Sequence, residues 1–585
     1  MTKHICLVAG TLMLSGLVSS VFAIETPAWV AKSNAAAEPA LEYLGRYSAE
    51  YASSLGLEKY DELISDLKPG VYERSLADGQ KTLAGLQARA AAESDSRVRQ
   101  DIDILITSIS DQLESMRLDH ELMLPYQDVP KSIFRGLQSL LDERNAPERK
   151  ARALTRLKRY LGAEGATEPF VSLAEARSAE RFDEIKLTGP YVEEVRKNLD
   201  STERYIAGIA DLFKAAKLTG WEEAHAKLAA QLREYSAWVK KEILPRARRT
   251  NRLPEAIYAD NLKNFGVHLS PRELIERATF GFLEIRDEMQ SIAARIAVER
   301  KLPSSDYRDV IRELKKDQIT GDAVLPFYQH RLEEIEKLIV EHDLVTLPQR
   351  KARIRLASDA ESSAQPAPHM SPPRLIGNHG EYGEFVLPLT NPTAAAGTIQ
   401  DDFTNSSFAW TLVAHEARPG HELQFAAMVE QGVSIPRVVF AFNSANVEGW
   451  ALYCEALMKP YMPLDGQLFS LQARLHRAAR AFLDPMVNLG QLQPAEVKQF
   501  LMHEVVLSDP FATQEVDRYT YRAPGQATAY YYGYMKIRQI RAAAELALRE
   551  KFNQKAFHDF ILSQGLLPPE VLMKAVKEDF VPKYR

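Results

Sequence analysis

Two histidines and a glutamate fall within the short run His415-Glu416-Ala417-Arg418-Pro419-Gly420-His421. Paired imidazoles beside a carboxylate are the equipment of a hydrolytic zinc site. The imidazoles hold the ion, the carboxylate takes a proton from water, and an open position admits substrate. The ordinary form of this motif separates the histidines by four residues, so that both lie on one helix face. Here they are six apart. At about 100° per residue, a regular helix would turn His421 roughly 240° away from His415. The two extra residues are Pro419 and Gly420, which remove a backbone donor, crowd the preceding turn and accept unusual dihedrals. The sequence therefore predicts a helix broken or bulged at these two residues, returning His421 to His415.

A third protein ligand is needed, with a fourth position left for water. The run Asn446-Val447-Glu448-Gly449-Trp450-Ala451-Leu452-Tyr453-Cys454-Glu455 reads as a helix entered through Asn443 and Ser444. Glu448 and Glu455 share a face amid apolar neighbours, where unpaired carboxylates are costly. Glu448 as the third ligand and Glu455 as the group that orients a ligating imidazole would satisfy both. Upstream, Ser407 to Ala414 is an apolar helical run that puts Phe408, Leu412 and His415 on one inward face. Cys454 reads as a small buried apolar residue. His330, His369, His379, His476 and His503 lack ligand spacing.

HEARPGH, VEGWALYCE and RYTYRAPGQATAYYYGYMKIRQIR together resemble the bacterial domain of unknown function 885 family, across most of the chain. The resemblance implies a mainly α, large multi-helix zincin-like metallopeptidase fold. It implies one zinc ion held by two His and a Glu, and the strand candidate described below adds a small β element near the active site. Two positions depart from the family pattern: Glu422 and Asn488 stand where members often carry His. The segment 519–534 also resembles part of the thimet-type oligopeptidases. By that analogy a tyrosine hydroxyl donates to the developing oxyanion, with Tyr530 the first choice and Tyr534 the second. Arg518 and Arg522 are candidates to bind a peptide carboxylate bidentately.

The elements that must carry these residues are helical. From about Pro27 to Leu356 apolar residues recur at helical spacing, which predicts stacked antiparallel helices. Ser270-Pro271-Arg272-Glu273 supplies an N-cap, a first-turn proline and a capping-box glutamate ahead of a long helix over residues 275–296. Residues 357–379 collect Pro and Ser and read as a surface loop. Glu384 to Leu389 is a short strand, either an edge for an extended substrate or a buried connector. The division expected is 24–356 helical lobe, 357–379 loop and 380–585 metal-binding lobe, interlocked as one large domain.

Residues 1–23 read as a secretory signal: Lys3, an uncharged apolar run over residues 5–18, and small residues before a cut after Ala23. That cut removes Cys6, which lacks a lipobox setting, and leaves Cys454 unable to form an internal disulfide. An exported protein is expected, periplasmic in the first reading and fully secreted in the second, free of the membrane after cleavage. The net charge of -6 offers no basic footprint, so nucleic acid is not an expected partner. The expected activity is zinc-dependent hydrolysis of short peptides with Glu416 as general base. The alternatives are an amidohydrolase of cell-wall peptide fragments and a non-catalytic zinc-binding scaffold.

Overall fold

The computed structural model describes residues 27–389 and 400–585. Residues 1–23, expected to be a secretory signal, and Cys6 within them lie outside the described residues. The described chain is mainly helical, with a single three-stranded sheet. Among the described residues no helix is long and apolar enough to cross a membrane.

The capping signal at Ser270 starts the helix Pro271–Arg300, with the Ser270 and Glu273 side chains each accepting from the other's backbone N–H. Its buried face, Leu274, Ala278, Phe282, Ile285, Met289, Ile292 and Ile296, follows the three-and-four spacing of one helix side. That face packs along the helix Leu464–Asn488. The main core therefore crosses residue 356, joining Tyr258 through Ile354 to the helices that follow. A second core is built from residues 129–243, including Val129, Phe134, Leu157, Ile209 and Leu232, and it also takes in Ala360 and Ala364.

Those last two residues correct the loop expected over 357–379. Ser358 and Glu361 form a capping box for the helix Asp359–Ala364, and strand β2 (His369–Ser371) follows. Prolines flank these elements without interrupting them, and three residues suffice for β2 once a partner strand fixes its register. That partner is β3 (Glu384–Leu387), which pairs antiparallel with β2, His369 opposite Val386, and parallel with β1 (Arg353–Leu356), Arg353 opposite Glu384. The strand candidate thus forms, but at the centre of the sheet with all four residues buried. Its backbone is used on both sides, so β3 offers no free edge to a substrate.

Candidate functional site

The helix carrying His415 is Phe408–Glu416, and it stops at Glu416. Residues 417–420 leave the helical path, with Ala417 at φ -102°, ψ -101° and Gly420 at φ -73°, ψ -133°, and the helix His421–Gln431 then begins. The loop-out is closed by Leu423 N–H donating to Ala417 O at 3.3 Å, six residues back instead of four. The two inserted residues are accommodated there, and the imidazoles of His415 and His421 meet with ring centroids 4.8 Å apart.

Neighbouring groups fix this turn. Trp450 Nε1 donates to Pro419 O at 3.0 Å, and Cys454 lies 3.4 Å from the same oxygen. Buried Arg418 donates to Glu422 at 2.7 Å, to Glu336 at 2.6 Å and to Arg350 O. Glu422 is thereby occupied as the partner of Arg418. At the other departure from the family pattern, Asn488 donates to Asp484 and to Tyr519 O. Neither residue is part of the His/Glu cluster.

Glu448 comes from the helix Ser444–Met458, capped by Asn443, whose side chain accepts from Asn446 N–H. His415, His421 and Glu448 bring one ligand atom each to within 4.8 Å of one another. Glu448 Oε2 stands 3.3 Å from His421 Nε2 and 3.5 Å from His415 Nε2. It is buried, yet it makes no hydrogen bond among the described residues. Donors around a tetrahedral ion with bonds of about 2.1 Å are spaced by ~3.4 Å. The three side chains fit a zinc ion in donor type and in spacing.

The surrounding charges act on these groups strongly. Burial works to lower the pKa of His415, but the facing carboxylates of Glu448 and Glu455 outweigh it and carry it up to about 9. Burial works to raise Glu448, and the two imidazoles hold it well below the ordinary carboxylate range. Metal entry would therefore displace a proton from between these groups. His415 Nδ1 lies 2.7 Å from Glu455 Oε1, and Glu455 also accepts from Thr411 at 2.9 Å and pairs with Arg477 at 3.5 Å. Glu455 thus fixes the tautomer that leaves Nε2 facing Glu448. Glu455→Gln is expected to weaken metal affinity by about 10- to 100-fold, measured by competition with a zinc chelator. An unchanged affinity would remove Glu455 from that role.

Glu416 is buried beside the cluster, its Oε1 3.9 Å from His415 Nε2. Burial raises its pKa against the pull of both histidines. Its carboxylate accepts no hydrogen bond from another described side chain, so it is free to hold a water.

Tyr530 arrives on the helix Thr528–Leu548, which crosses the Glu448 helix at its closest where Gly449 meets Gly533. A Cβ on Gly449 would lie 2.5 Å from the Gly533 carbonyl carbon, so both positions require glycine for this approach. The crossing brings the Tyr530 ring parallel to His415, centroids 6.3 Å apart. Arg518 donates to the Tyr530 hydroxyl at 3.1 Å, which leaves the phenolic hydrogen available to a ligand. Burial, and then the charge of Glu448, raise the Tyr530 pKa and keep it protonated.

The other two candidates lie elsewhere. Tyr534 accepts from Arg538 at 3.2 Å and sits by Arg474, with no contact to the cluster among the described residues. Arg522 points toward Tyr521 and the helical lobe, where its charge is felt by Asp128 and Lys131.

Behind Tyr530 stands a group that motif reading missed. Arg480 lies 4.4 Å over the Tyr530 ring and is held bidentately by Glu515 at 2.6 and 2.8 Å. Glu515 also accepts from Tyr519 at 2.9 Å. The available signal is the helix Leu464–Asn488, in which Arg474, Arg477 and Arg480 stand among Leu475, Ala478, Ala479, Ala481 and Phe482. Such a helix is buried, and its cations must find partners inside. A cavity of about 590 Å³, lined by Tyr72, His120, Tyr126, Glu194 and Tyr521, contains none of the cluster.

A mainly helical body with two histidines and a glutamate converging at a broken helix defines the class of this protein. The chain belongs to the family described as bacterial protein of unknown function (DUF885), which it matches over residues 50–576. No curated protein matches it. Solved structures share its fold, two of them over nearly the whole chain. One is a "putative lipoprotein" from Colwellia psychrerythraea, 17% identical, with a TM-score of 0.74 over 94% of this chain and 99% of that one. The other, a "putative lipoprotein of unknown function" from Shewanella oneidensis, is 18% identical, with a TM-score of 0.68 over 94% of this chain and 100% of that one.

Proposed function

We propose that the protein is an exported zinc metallopeptidase of zincin type that hydrolyses short peptides. The observation that carries this reading is the unbonded, buried Glu448 Oε2 facing two imidazole Nε2 atoms, with the free Glu416 carboxylate alongside. His415, His421 and Glu448 would hold one zinc ion. When bound, zinc supplies the Lewis acidity that makes water acidic and polarises a carbonyl.

The chain's own groups do the rest. Glu416 takes a proton from the attacking water and hands it to the departing amine. The Tyr530 O–H, its oxygen already held by Arg518, donates to the oxyanion. Arg480 and Glu515 keep the Tyr530 ring in place from behind. A scaffold would have no use for an acid left free next to the ligands, so Glu416 favours a catalytic reading.

The test is metal analysis of the purified mature chain together with hydrolysis of a peptide library and of muropeptides. About one zinc per chain is expected, by analogy with single-ion hydrolytic sites. Peptide cleavage should be lost on chelation and regained with zinc. Cleavage confined to muropeptides would move the substrate to cell-wall fragments. Failure of any amide to be cleaved by the zinc-loaded chain would end the reading.

A further inference from the structure

We propose that Arg474, together with the Tyr534 hydroxyl, binds a carboxylate of the peptide one or two residues from the bond that is cleaved. This rests on the peptidase reading and adds what the site selects for.

Arg474 is only 8% exposed, and its Nε and Nη2 are buried without a hydrogen-bond partner. Among the described residues every other buried arginine has an acceptor. Arg149 has Asp61, Arg181 has Glu184, Arg418 has Glu422, Arg437 has Asp101, Arg477 has Glu455 and Arg480 has Glu515. Arg156 donates to Gly136 O and Tyr60 O. Arg474 has only the face of the Tyr534 ring, 5.4 Å away, which steadies its charge and leaves those N–H groups unused. Glu284, whose charge is felt at Tyr531 alongside that of Arg474, makes no ion pair with it. A guanidinium held out of water with idle donors costs stability, and a carboxylate arriving there recovers that cost through charge-assisted hydrogen bonds.

Two helices place Arg474 next to the cluster. On Leu464–Asn488, Arg474 precedes Arg477 by three residues, and on Thr528–Leu548, Tyr534 follows Tyr530 by four, so each pair lies one turn apart on one helix side. Arg477 lies 6.0 Å from the Tyr530 ring and 3.5 Å from Glu455, the partner of His415. The helices thus form two rungs, Arg477 with Tyr530 at the cluster and Arg474 with Tyr534 one turn on. A helical turn advances about 5.4 Å and an extended chain about 3.3 Å per residue. The second rung therefore meets the peptide one or two residues from the carbonyl that Tyr530 serves.

Tyr534 is held as Tyr530 is. Its oxygen accepts from Arg538 at 3.2 Å, as that of Tyr530 accepts from Arg518, and the phenolic hydrogen is left without an acceptor among the described residues. Arg538 is exposed, so the rung lies close to solvent. Arg474 and Tyr534 together offer several donors and no acceptor, which suits a carboxylate and not an ammonium group.

The test follows cleavage by the zinc-loaded mature chain of one short peptide in versions that differ only in charge. These carry a free C-terminal acid or an amide, and Glu or Gln at the first two positions on either side of the cleaved bond. The wild type is expected to favour a carboxylate-bearing version over its neutral counterpart by about tenfold or more in kcat/KM. A preference within the acid and amide pair assigns the carboxylate to the chain end, and one within a Glu and Gln pair assigns it to a side chain. Arg474→Gln should bring the preference to within about twofold by raising KM for the charged version, and Arg474→Lys should retain part of it. Arg474→Leu removes a buried charge that has no partner, so its Tm is expected at or above that of the wild type. Equal cleavage of charged and neutral versions by the wild type overturns the assignment and leaves the peptidase reading intact. A preference that survives in Arg474→Gln also overturns it, as does a loss of folding in Arg474→Leu that Arg474→Lys repairs with the preference unmoved. Calorimetry with Glu416→Gln reads binding apart from cleavage. The same charge preference there, lost on adding Arg474→Gln, with no cleavage by the wild type would sink the peptidase reading and leave Arg474 as a carboxylate site.

Discussion

Glu416→Gln is expected to keep zinc at wild-type stoichiometry and to lower kcat for peptide hydrolysis by about 10³-fold or more, the scale of a lost general base. The substitution preserves shape and removes only the ability to take a proton. No neighbouring acid can substitute. Glu448 faces both imidazoles as a proposed ligand, and Glu455 is occupied by His415, Thr411 and Arg477. The pH profile supplies a second readout. Burial raises the Glu416 pKa, so the base form is lost as pH falls through a value above the ordinary carboxylate range. Wild-type activity should decline on that acidic limb, and the residual activity of Glu416→Gln should lack it. Zinc content and hydrolysis both near wild type would remove Glu416 from the reaction.

The parts of this site legible in the sequence are those governed by local geometry. His415 and His421, six positions apart, cannot share one face of a regular helix, and the chain leaves the helix at residues 417–420, where Pro419 and Gly420 stand. Glu448 and Glu455, seven apart, do share a face, and each meets an imidazole. The Ser270 cap likewise starts its helix where the residue pattern puts it.

What was not legible depends on which distant surfaces meet. Helical spacing shows that Arg480 must be inside, but it cannot choose Glu515 as the partner thirty-five residues on. Nor does it show that Arg522 turns toward a helix near residue 130 while Arg518, four residues earlier, turns to Tyr530. The pairing of β3 on both sides follows from β1 and β2, segments too short to announce themselves by alternation. In the segment 357–379, turn-forming composition hid a capping box that the residues Ser358 and Glu361 in fact spell out.

Gly420→Ala is expected to weaken zinc binding by about 10²-fold or more, because a displacement near 1 Å at a preorganised site costs that much. A Cβ at this position would lie 1.9 Å from His415 O and 2.5 Å from Ala414 O. Both atoms are backbone of the helix that carries the first ligand, so no side-chain rotation relieves the clash. Either that helix or the start of the helix His421–Gln431 must move, and His421 Nε2 then leaves its place 3.3 Å from Glu448 Oε2. Overpacking of this kind also lowers stability by roughly 1–3 kcal/mol. The two effects can be separated with Gly432→Ala at the far end of the same helix. Gly432 sits at φ +67° with open space around its Cβ position, so alanine there strains the backbone without touching the cluster. The control should lose about 1 kcal/mol of stability yet take up zinc as the wild type does. Thermal unfolding with and without zinc reads both quantities, since a ligand that binds only the folded state stabilises it by RT ln(1 + L/Kd), with L the free ligand concentration, and so raises Tm more the tighter it binds. Zinc should raise the Tm of the wild type and of Gly432→Ala, and leave that of Gly420→Ala nearly unmoved at the same concentration. If Gly420→Ala gained as much from zinc as the control, the convergence of His415 and His421 would not depend on the looped-out turn.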